Sequence, residues 1–185
     1  HLAGELVAGQ HALDRLLEKG FTPFITPVFV REPAMEGTGF LPRGADEAYY
    51  IPEDKLYLAG TSEVPLVSSR MNEIIAPEEL PLLYAGISNC FRREAGAAGK
   101  DTRGLYRLHQ FQKIEQVVIC KNDQDESDKL HEMILNNSES ILQSLELPYR
   151  VMLACGGECG IPQFYKHEIE TWMPSRGNYC ETHSC

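Results

Sequence analysis

The chain has 185 residues, of which 43% are hydrophobic and 24% are charged, which favours a single folded domain and excludes an intrinsically disordered one. Its net charge of −10 at pH 7 argues against a sequence-independent grip on nucleic acid through many phosphate contacts. No apolar run approaches the roughly 20 residues that a membrane-spanning helix needs.

The first half of the chain predicts short elements separated by turns. Gly20 is a plausible stop for the first helix, and Pro23 and Pro27 confine the strand that contains them to an edge or a boundary. The predicted elements are, in chain order, a helix over residues 5–18, a strand within 21–30 that is interrupted by Pro23 and ended by Pro27, a loop over 31–48, a strand over 56–59 and a helix over 63–71.

The second half predicts longer and more regular elements. These are a strand that ends near residues 91–94, a mobile glycine-rich connection over 95–104, a strand over 105–120, an amphipathic helix over 123–145, and strands over 148–155, 167–173 and the last residues of 175–185. The hairpin around the glycine-rich connection implies antiparallel pairing. The predicted class is therefore α+β, an antiparallel β-sheet flanked by helices, with no domain boundary.

Six cysteines raise the question of disulfides or metal. They are Cys90, Cys120, Cys155, Cys159, Cys180 and Cys185. Their loose spacing and the absence of a secretory signal favour reduced thiols in a cytoplasmic protein. A zinc site formed by the last four with His167 or His183 fits the usual ligand spacing only weakly. The chain does not begin with Met, so we expect an internal segment of a longer protein.

An unusual run of polar side chains lies on one face of the predicted strand over 105–120. Arg107, Phe111 and Glu115 share this face, and Arg92 lies across the hairpin in the run FRRE. Arginine forks bind phosphates, an aromatic ring stacks on a base, and a carboxylate holds an amino group. A cavity for a nucleotide beside an amino acid is one interpretation. A solvated strand face with cross-strand ion pairs is the other.

Several segments resemble the seryl-tRNA synthetases, a family of class II aminoacyl-tRNA synthetases. The segment FRREAGAAGKDTRGLYRLHQFQKIEQ resembles motif 2 of that family nearly residue for residue. TSEVPL resembles the family's TAEVPL, EKGFTPFITPVFV resembles the end of motif 1 with its proline at Pro27, and ELPLLYAGISNCFRREAG and ETHSC also match. The resemblance covers residues 13–185. It implies that residues 1–185 are a class II synthetase catalytic domain.

The resemblance implies an ATP site. Arg92 and Arg107 would be the catalytic arginines, the first on the α-phosphate and the serine carbonyl region, the second on the γ-phosphate of a bent ATP. Glu94 would contact the adenine amino group and Phe111 would stack on the adenine. Glu181 and Ser184 would coordinate Mg²⁺, and this ion would bridge the ATP phosphates. Without the resemblance, both would be ordinary strand residues.

The resemblance also implies a serine pocket. Thr61 and Glu63 would hold the ammonium group, Glu115 the amino or hydroxyl group, and Arg92 the serine carbonyl region. Without the resemblance, Thr61 could be an N-cap, Glu63 a carboxylate that complements a helix dipole, and Glu115 a cross-strand partner of a lysine. His109 is expected to be structural.

The implied activity is that of a serine–tRNA ligase, ATP-dependent and AMP-forming. L-serine and ATP would form seryl-adenylate, and tRNA(Ser) would then accept the seryl group; motif 1 implies a homodimer. The alternative is a paralogue that does not charge tRNA, either a carrier-protein ligase or a non-catalytic binding protein. Lys100, Asp101 and Arg103 could approach tRNA or only solvate their loop.

The sequence departs from the family in two large respects and three small ones. It contains neither the N-terminal helical arm that grips tRNA nor motif 3 with its adenine-binding arginine. We therefore expect this stretch alone to bind ATP weakly and to be weakly active or inactive. TSE replaces TAE, Cys180 stands where an arginine is common, and the GGECG loop differs from the family's pattern.

Overall fold

The structure is a computed structural model that describes residues 2–96 and 104–185. The chain divides into two compact units, residues 1–119 and residues 120–185. The single catalytic domain over 1–185 stays a prediction, and the predicted mobility of 95–104 concerns residues that lie mostly outside the described ones. No helix within the described residues is long and apolar enough to cross a membrane.

The described part of the first unit contains three helices and six strands, whose bounds are as follows. In chain order they are α1 (Leu2–Glu18), β1 (Thr22–Ile25), β2 (Phe29–Arg31), α2 (Glu32–Gly37), β3 (Tyr49–Ile51), β4 (Leu56–Leu58), α3 (Glu63–Ser68), β5 (Leu82–Phe91) and β6 (Gln110–Ile119). The described part of the second unit contains α4 (Gln124–Ser144), β7 (Tyr149–Leu153), β8 (His167–Met173) and β9 (Asn178–Ser184).

The main sheet of the first unit has the strand order β1-β5-β6. β5 and β6 pair antiparallel from Leu82↔Ile119 to Phe91↔Gln110, which confirms the predicted hairpin. β1 pairs with β5 in parallel and lies at the edge of the sheet, where Pro23 removes no ladder hydrogen bond from a central strand. Gly20 follows α1 with a φ of 85°, a left-handed conformation that ends the helix as predicted.

One prediction for the first 60 residues is confirmed in part and another is wrong. The strand predicted within 21–30 ends before Pro27 as β1, but Pro23 does not interrupt it, and a second strand, β2, follows Pro27. The loop over 31–48 contains α2 and a 3₁₀ turn at Ala45–Glu47, and β3 follows it. These short elements are stabilised by tertiary packing, because Met35, Val30 and Ala48 are buried in one apolar cluster. The local glycine-rich sequence carries no periodic signal for them.

The predicted strand over 105–120 is also too long, since β6 begins at Gln110 and residues 104–108 are bends or irregular. The Arg92 N–H still donates to the His109 carbonyl at 3.0 Å. Glu94 then takes a left-handed φ of 53°, which turns the chain away from its partner. Arg107 therefore lies in an irregular segment beyond the strand and not on its face.

The second unit contains an antiparallel sheet, β7-β8-β9, and α4 contacts it through a hydrogen bond between His131 and His167 and one from Tyr149 to Glu139. The Asp123 side chain accepts a hydrogen bond from the Glu126 N–H at 2.9 Å and so caps α4. Ile169 and Leu142 are buried at 0% and 4% exposure. The predicted helix over 123–145 and strands over 148–155 and 167–173 are confirmed to within two residues, and so is the α+β class with antiparallel sheets.

Candidate functional site

The connection beyond the open end of β5 and β6 holds a half-buried ion pair. Arg107 Nη1 donates to Glu94 Oε2 at 2.7 Å. The Glu94 side chain is 9% exposed and the Arg107 side chain 37%. Burying a carboxylate without a partner is costly, and the arginine supplies that partner.

A cavity of about 640 Å³ opens beside this ion pair. Its charged lining comes from Arg92, Glu94, Arg107 and Glu47, and its apolar lining includes Met35, Phe40, Leu58 and Phe91. A volume of roughly 300–1,000 Å³ with an apolar wall and a few convergent polar groups is typical of small-molecule sites. Two arginines in one such cavity suit a ligand with several phosphates.

Arg92 connects the cavity to the face of the main sheet. Its Nε donates to the Gly60 carbonyl at 3.2 Å, and its guanidinium carbon lies 5.2 Å from the centre of the Phe111 ring. The aromatic face attracts the cation and restricts its position. Phe111 itself is not among the residues that line the cavity.

A second polar cluster lies on the same strand, four residues beyond Phe111. Lys113 Nζ donates to Thr61 Oγ1 at 2.7 Å and pairs with Glu115 Oε2 at 2.5 Å. Thr61 Oγ1 in turn donates to Glu115 Oε2 at 2.9 Å and accepts from the Glu63 N–H at 3.2 Å. Thr61 is 2% exposed, so its hydroxyl is held by these three half-buried partners.

Glu63 faces the same cluster from the start of α3. Burial raises the pKa of its carboxyl group above the ordinary value, and the negative charge of Glu115 raises it further. The positive charges of Lys113 and Arg92 act in the opposite direction and lower that pKa. The pocket thus sets two carboxylates against two cations, and it balances in charge without a ligand.

Close packing holds this segment against the sheet. Gly86 pairs with Glu115, and a Cβ atom placed on it would lie 2.5 Å from Ser62 Oγ. Only glycine leaves room there for the chain that carries Thr61 and Glu63. The Ser62 hydroxyl is buried and finds no hydrogen-bond partner among the described residues.

Glu181 and Ser184 lie on β9 in the second unit, three residues apart. In a regular strand they would point to opposite faces. The register shifts between Ile169 and Glu170, so Glu181 pairs with Glu170 and Ser184 with Glu168. A bulge at Thr182 therefore brings both side chains to one face. Carboxylate and hydroxyl oxygens are ligands that suit Mg²⁺, so the two residues fit the metal that the resemblance implies.

The described residues, 2–96 and 104–185, contain no group of three or more His, Cys, Asp or Glu side chains that could hold a metal ion by themselves. All six cysteines are free thiols. Lys100, Asp101 and Arg103, the candidates for a tRNA contact, lie outside the described residues.

A sequence profile described as the tRNA synthetase class II core domain (G, H, P, S and T) matches residues 49–185. This chain belongs to the class II tRNA synthetase core family.

The class II core is similar over nearly its whole length to proteins named for serine. It is 47% identical over 181 residues to the serine–tRNA ligase of Deinococcus radiodurans, covering 98% of this chain and 43% of that protein. It is 46% identical to the crystal structure of the seryl-tRNA synthetase of Pyrococcus horikoshii complexed with ATP, with a TM-score of 0.92, covering 97% of this chain and 40% of that one.

The cytoplasmic serine–tRNA ligase of Naegleria fowleri, in complex with AMP, is 34% identical, with a TM-score of 0.91. That match covers 97% of this chain and 43% of the other. These similarities confirm the resemblance to the seryl branch. The class II core described here spans about two fifths of the length of the relatives it matches.

Two residues of the class II core site were not singled out from the sequence. Lys113 stands two residues before Glu115, a spacing that places both on one side of the strand, but no pattern in the sequence gave it a role. Glu47 lines the cavity, and its carboxylate accepts from the Gly96 N–H at 3.2 Å. It belongs to the segment that was predicted as a loop, so no local pattern pointed to it.

Proposed function

We propose that the protein carrying this chain activates L-serine with ATP to form seryl-adenylate and transfers the seryl group to tRNA(Ser). The observation that carries the proposal is Arg92, which lines the two-arginine cavity and also lies over Phe111 on the strand that bears Lys113 and Glu115. The Arg92 guanidinium thus adjoins both the cavity that suits phosphates and the polar cluster around Thr61. The relatives named serine–tRNA ligase support serine as the amino acid.

The proposed ATP site is the cavity beside the Glu94–Arg107 pair. Glu94 accepts a hydrogen bond from the adenine amino group, and Arg107 binds the γ-phosphate. Their separation of 2.7 Å supports a bent ATP, because the base and the last phosphate then meet neighbouring side chains. Phe111 stacks on the adenine; it lies outside the lining of this cavity but next to Arg92, whose guanidinium carbon is 5.2 Å from the ring centre.

The proposed serine site is the cluster around Thr61. Glu63 receives the ammonium group, Glu115 receives a polar group of the substrate, and Arg92 binds the carboxylate. Loss of a partner for a buried carboxylate is penalised, which favours serine over alanine. The Thr61 hydroxyl donates its hydrogen bond to Glu115, so Thr61 acts on the substrate mainly through Glu115.

Glu181 and Ser184 are the proposed ligands of Mg²⁺, which neutralises charge on the phosphates when it is bound. Their shared sheet face also carries Glu168 and Glu170. Those two carboxylates are already paired, with Lys166 at 2.6 Å and with Arg150 at 2.5 Å.

The chemistry needs no nucleophilic side chain. The serine carboxylate attacks the α-phosphorus of ATP, the bond to the β-phosphate oxygen breaks, and pyrophosphate leaves. Arg92 stabilises the charge that develops on the α-phosphate, and the pocket holds the reacting atoms in line. A ribose hydroxyl of tRNA then takes the seryl group and AMP leaves.

We also propose that the protein is cytoplasmic and that it forms a homodimer through the segment around Pro27. The cytoplasmic relative from Naegleria fowleri supports the location. Phe29 and Ile25, which flank Pro27, are 51% and 88% exposed, which supports burial against a second copy.

Amino-acid-dependent ATP–pyrophosphate exchange tests the proposed function. The full-length protein is assayed with the twenty amino acids, and serine is expected to exceed alanine and threonine by at least about a hundredfold in kcat/KM. The Arg92→Ala protein should lose serine-dependent exchange, whereas Arg150→Ala should keep it. Exchange that another amino acid supports better than serine overturns the proposal.

A further inference from the structure

Lys113 lies at the centre of the serine cluster, which consists of Thr61, Glu63, Lys113 and Glu115. It is the one member of this cluster without an assigned role in binding serine. It is the residue that contacts both Thr61 and Glu115, and its side chain is 28% exposed. A lysine so placed occupies two acceptors that a substrate might otherwise use. Its charge also lies next to a carboxylate that is expected to meet serine.

The hydroxyl group of Thr61 is fully used. A threonine hydroxyl has one proton to donate and two lone pairs to accept with. The Lys113 ammonium group and the Glu63 N–H donate to it, and its proton goes to Glu115 Oε2. Lys113 therefore fixes the direction in which Thr61 donates.

The two oxygens of Glu115 are in different situations. Oε2 receives both the Thr61 hydroxyl and the Lys113 ammonium group. Oε1 accepts no hydrogen bond from the described residues. The carboxylate is thus clamped by one oxygen and offers the other to a ligand, while its charge is compensated by an adjacent cation.

The charges around Glu115 and Glu63 suit these two carboxylates to different groups of the substrate. A substrate ammonium group at Glu115 would have to approach the Lys113 ammonium group, and like charges at such a distance repel. A neutral hydroxyl meets no such repulsion. Glu63 has no direct ion pair among the described residues, so it is the carboxylate left for the substrate ammonium group.

We propose that Lys113 is a positioning residue that sets specificity: it clamps and neutralises Glu115 so that Glu115 Oε1 accepts the serine hydroxyl, and it leaves Glu63 for the substrate ammonium group. This inference rests on the proposed serine activation. It assigns the two ends of the substrate to different carboxylates. Lys113 touches neither end.

The test compares serine with L-2,3-diaminopropionate, which carries an ammonium group in place of the hydroxyl. Exchange is measured with the full-length protein in the wild-type, Lys113→Met, Lys113→Arg and Lys129→Met forms. Lys129 is an exposed lysine of α4 and serves as the matched control. The ratio of kcat/KM for serine to that for diaminopropionate is the readout, because a merely structural role lowers both values together.

Lys113→Met is expected to reduce this ratio at least about tenfold and to raise the KM for serine more than it lowers kcat. Lys113→Arg should restore most of the ratio, and Lys129→Met should leave it unchanged. An unchanged ratio in Lys113→Met, or a lower KM for serine, contradicts the inference while the proposed function stands. If the wild-type protein activates no serine, both the inference about Lys113 and the proposed function are wrong.

Discussion

The polar cluster around Thr61 in the first unit and the acidic sheet face of the second unit use the same side-chain types in different ways. In the cluster, Thr61 meets Lys113 and Glu115 from more than 50 residues away, and it is 2% exposed. On the sheet face, Glu170 pairs with Arg150 on the neighbouring strand, and that arginine is 50% exposed. The first arrangement is buried and depends on tertiary packing, and the second follows from strand register.

The contrast between the Thr61 cluster and the Glu170–Arg150 pair indicates where polar groups are organised for binding. A buried network has few alternative partners, so each lost group leaves another unsatisfied. An exposed pair can be replaced by water at little cost, and its contribution to stability is typically below about 1 kcal/mol. Substitutions in the cluster should therefore change activity strongly, and those on the sheet face should do so only at the metal ligands.

The largest effect is expected for Arg92→Ala. Removing a group that stabilises transition-state charge typically lowers kcat by about a hundredfold to a thousandfold. Arg92 also holds Gly60 through its Nε and lies over Phe111. Single-turnover formation of seryl-adenylate measures the step directly. A loss smaller than about tenfold would mean that Arg92 does not contact the reacting phosphate.

A smaller loss is expected for Glu115→Gln. The amide keeps the size of the side chain but cannot accept the ammonium group of Lys113 as an ion pair. Because hydrogen bonds to charged groups contribute about 1.5–3 kcal/mol, the KM for serine should rise by roughly tenfold to a hundredfold.

The control for Glu115→Gln is Glu73→Gln, which breaks the exposed Arg70–Glu73 pair at 2.9 Å. It should change the KM for serine by less than about twofold. Similar effects of the two substitutions on the KM would remove the distinction between the buried cluster and a surface pair.

Glu181→Gln tests the one position where the sheet face is expected to matter. The Mg²⁺ concentration for half-maximal exchange should rise by about tenfold, since the metal loses a charged oxygen ligand. Glu170→Gln on the same face breaks only the pair with Arg150 and should leave the Mg²⁺ requirement unchanged. Equal shifts in the two variants would show a general effect of surface charge.

Ser62→Ala should stabilise the first unit by about 1 kcal/mol. The hydroxyl is buried without a partner among the described residues, and burying an unsatisfied polar group costs about 1–3 kcal/mol. The family's TAE segment carries alanine at this position. Urea denaturation of the full-length protein measures the change in the free energy of unfolding. Destabilisation would mean that the hydroxyl has a partner after all.

The smallest expected effect is a pH dependence in the second unit. Burial and the neighbouring charge of His167 lower the pKa of His131, and burial lowers the pKa of His183. The unfolded chain then binds more protons, so this contribution to stability is present above about pH 6.5 and is lost as the pH falls below it.

Hydrogen exchange at β8 amides, followed from pH 8 to pH 5.5, measures the local stability. His131→Gln should flatten the profile in part, because His183 still titrates. Protection that does not change with pH in the wild-type protein would contradict the assignment.

The long elements could be predicted from the sequence and the short ones could not. α4 and β8 have regular periodicity over 21 and 7 residues, so local pattern sufficed. α2 and β3 have no such pattern and form because Met35 and Ala48 are buried by distant residues. Local propensity is a weak guide where tertiary packing decides.

The candidate site divides in the same way. The family resemblance supplied Arg92, Glu94 and Arg107, which the structure brings to one cavity. The contact of Thr61 with Lys113 joins residues 52 positions apart, and no spacing rule reveals it. The common face of Glu181 and Ser184 depends on a bulge that a two-residue period does not predict.

A crystal structure of the full-length protein with 5′-O-[N-(L-seryl)sulfamoyl]adenosine, an unreactive analogue of seryl-adenylate, tests the central claim most directly. The sulfamate is expected within about 3 Å of the Arg92 guanidinium, the serine hydroxyl on Glu115 and the serine ammonium group on Glu63. The analogue bound away from Arg92, or with its seryl group pointing away from Thr61 and Glu115, would contradict the account.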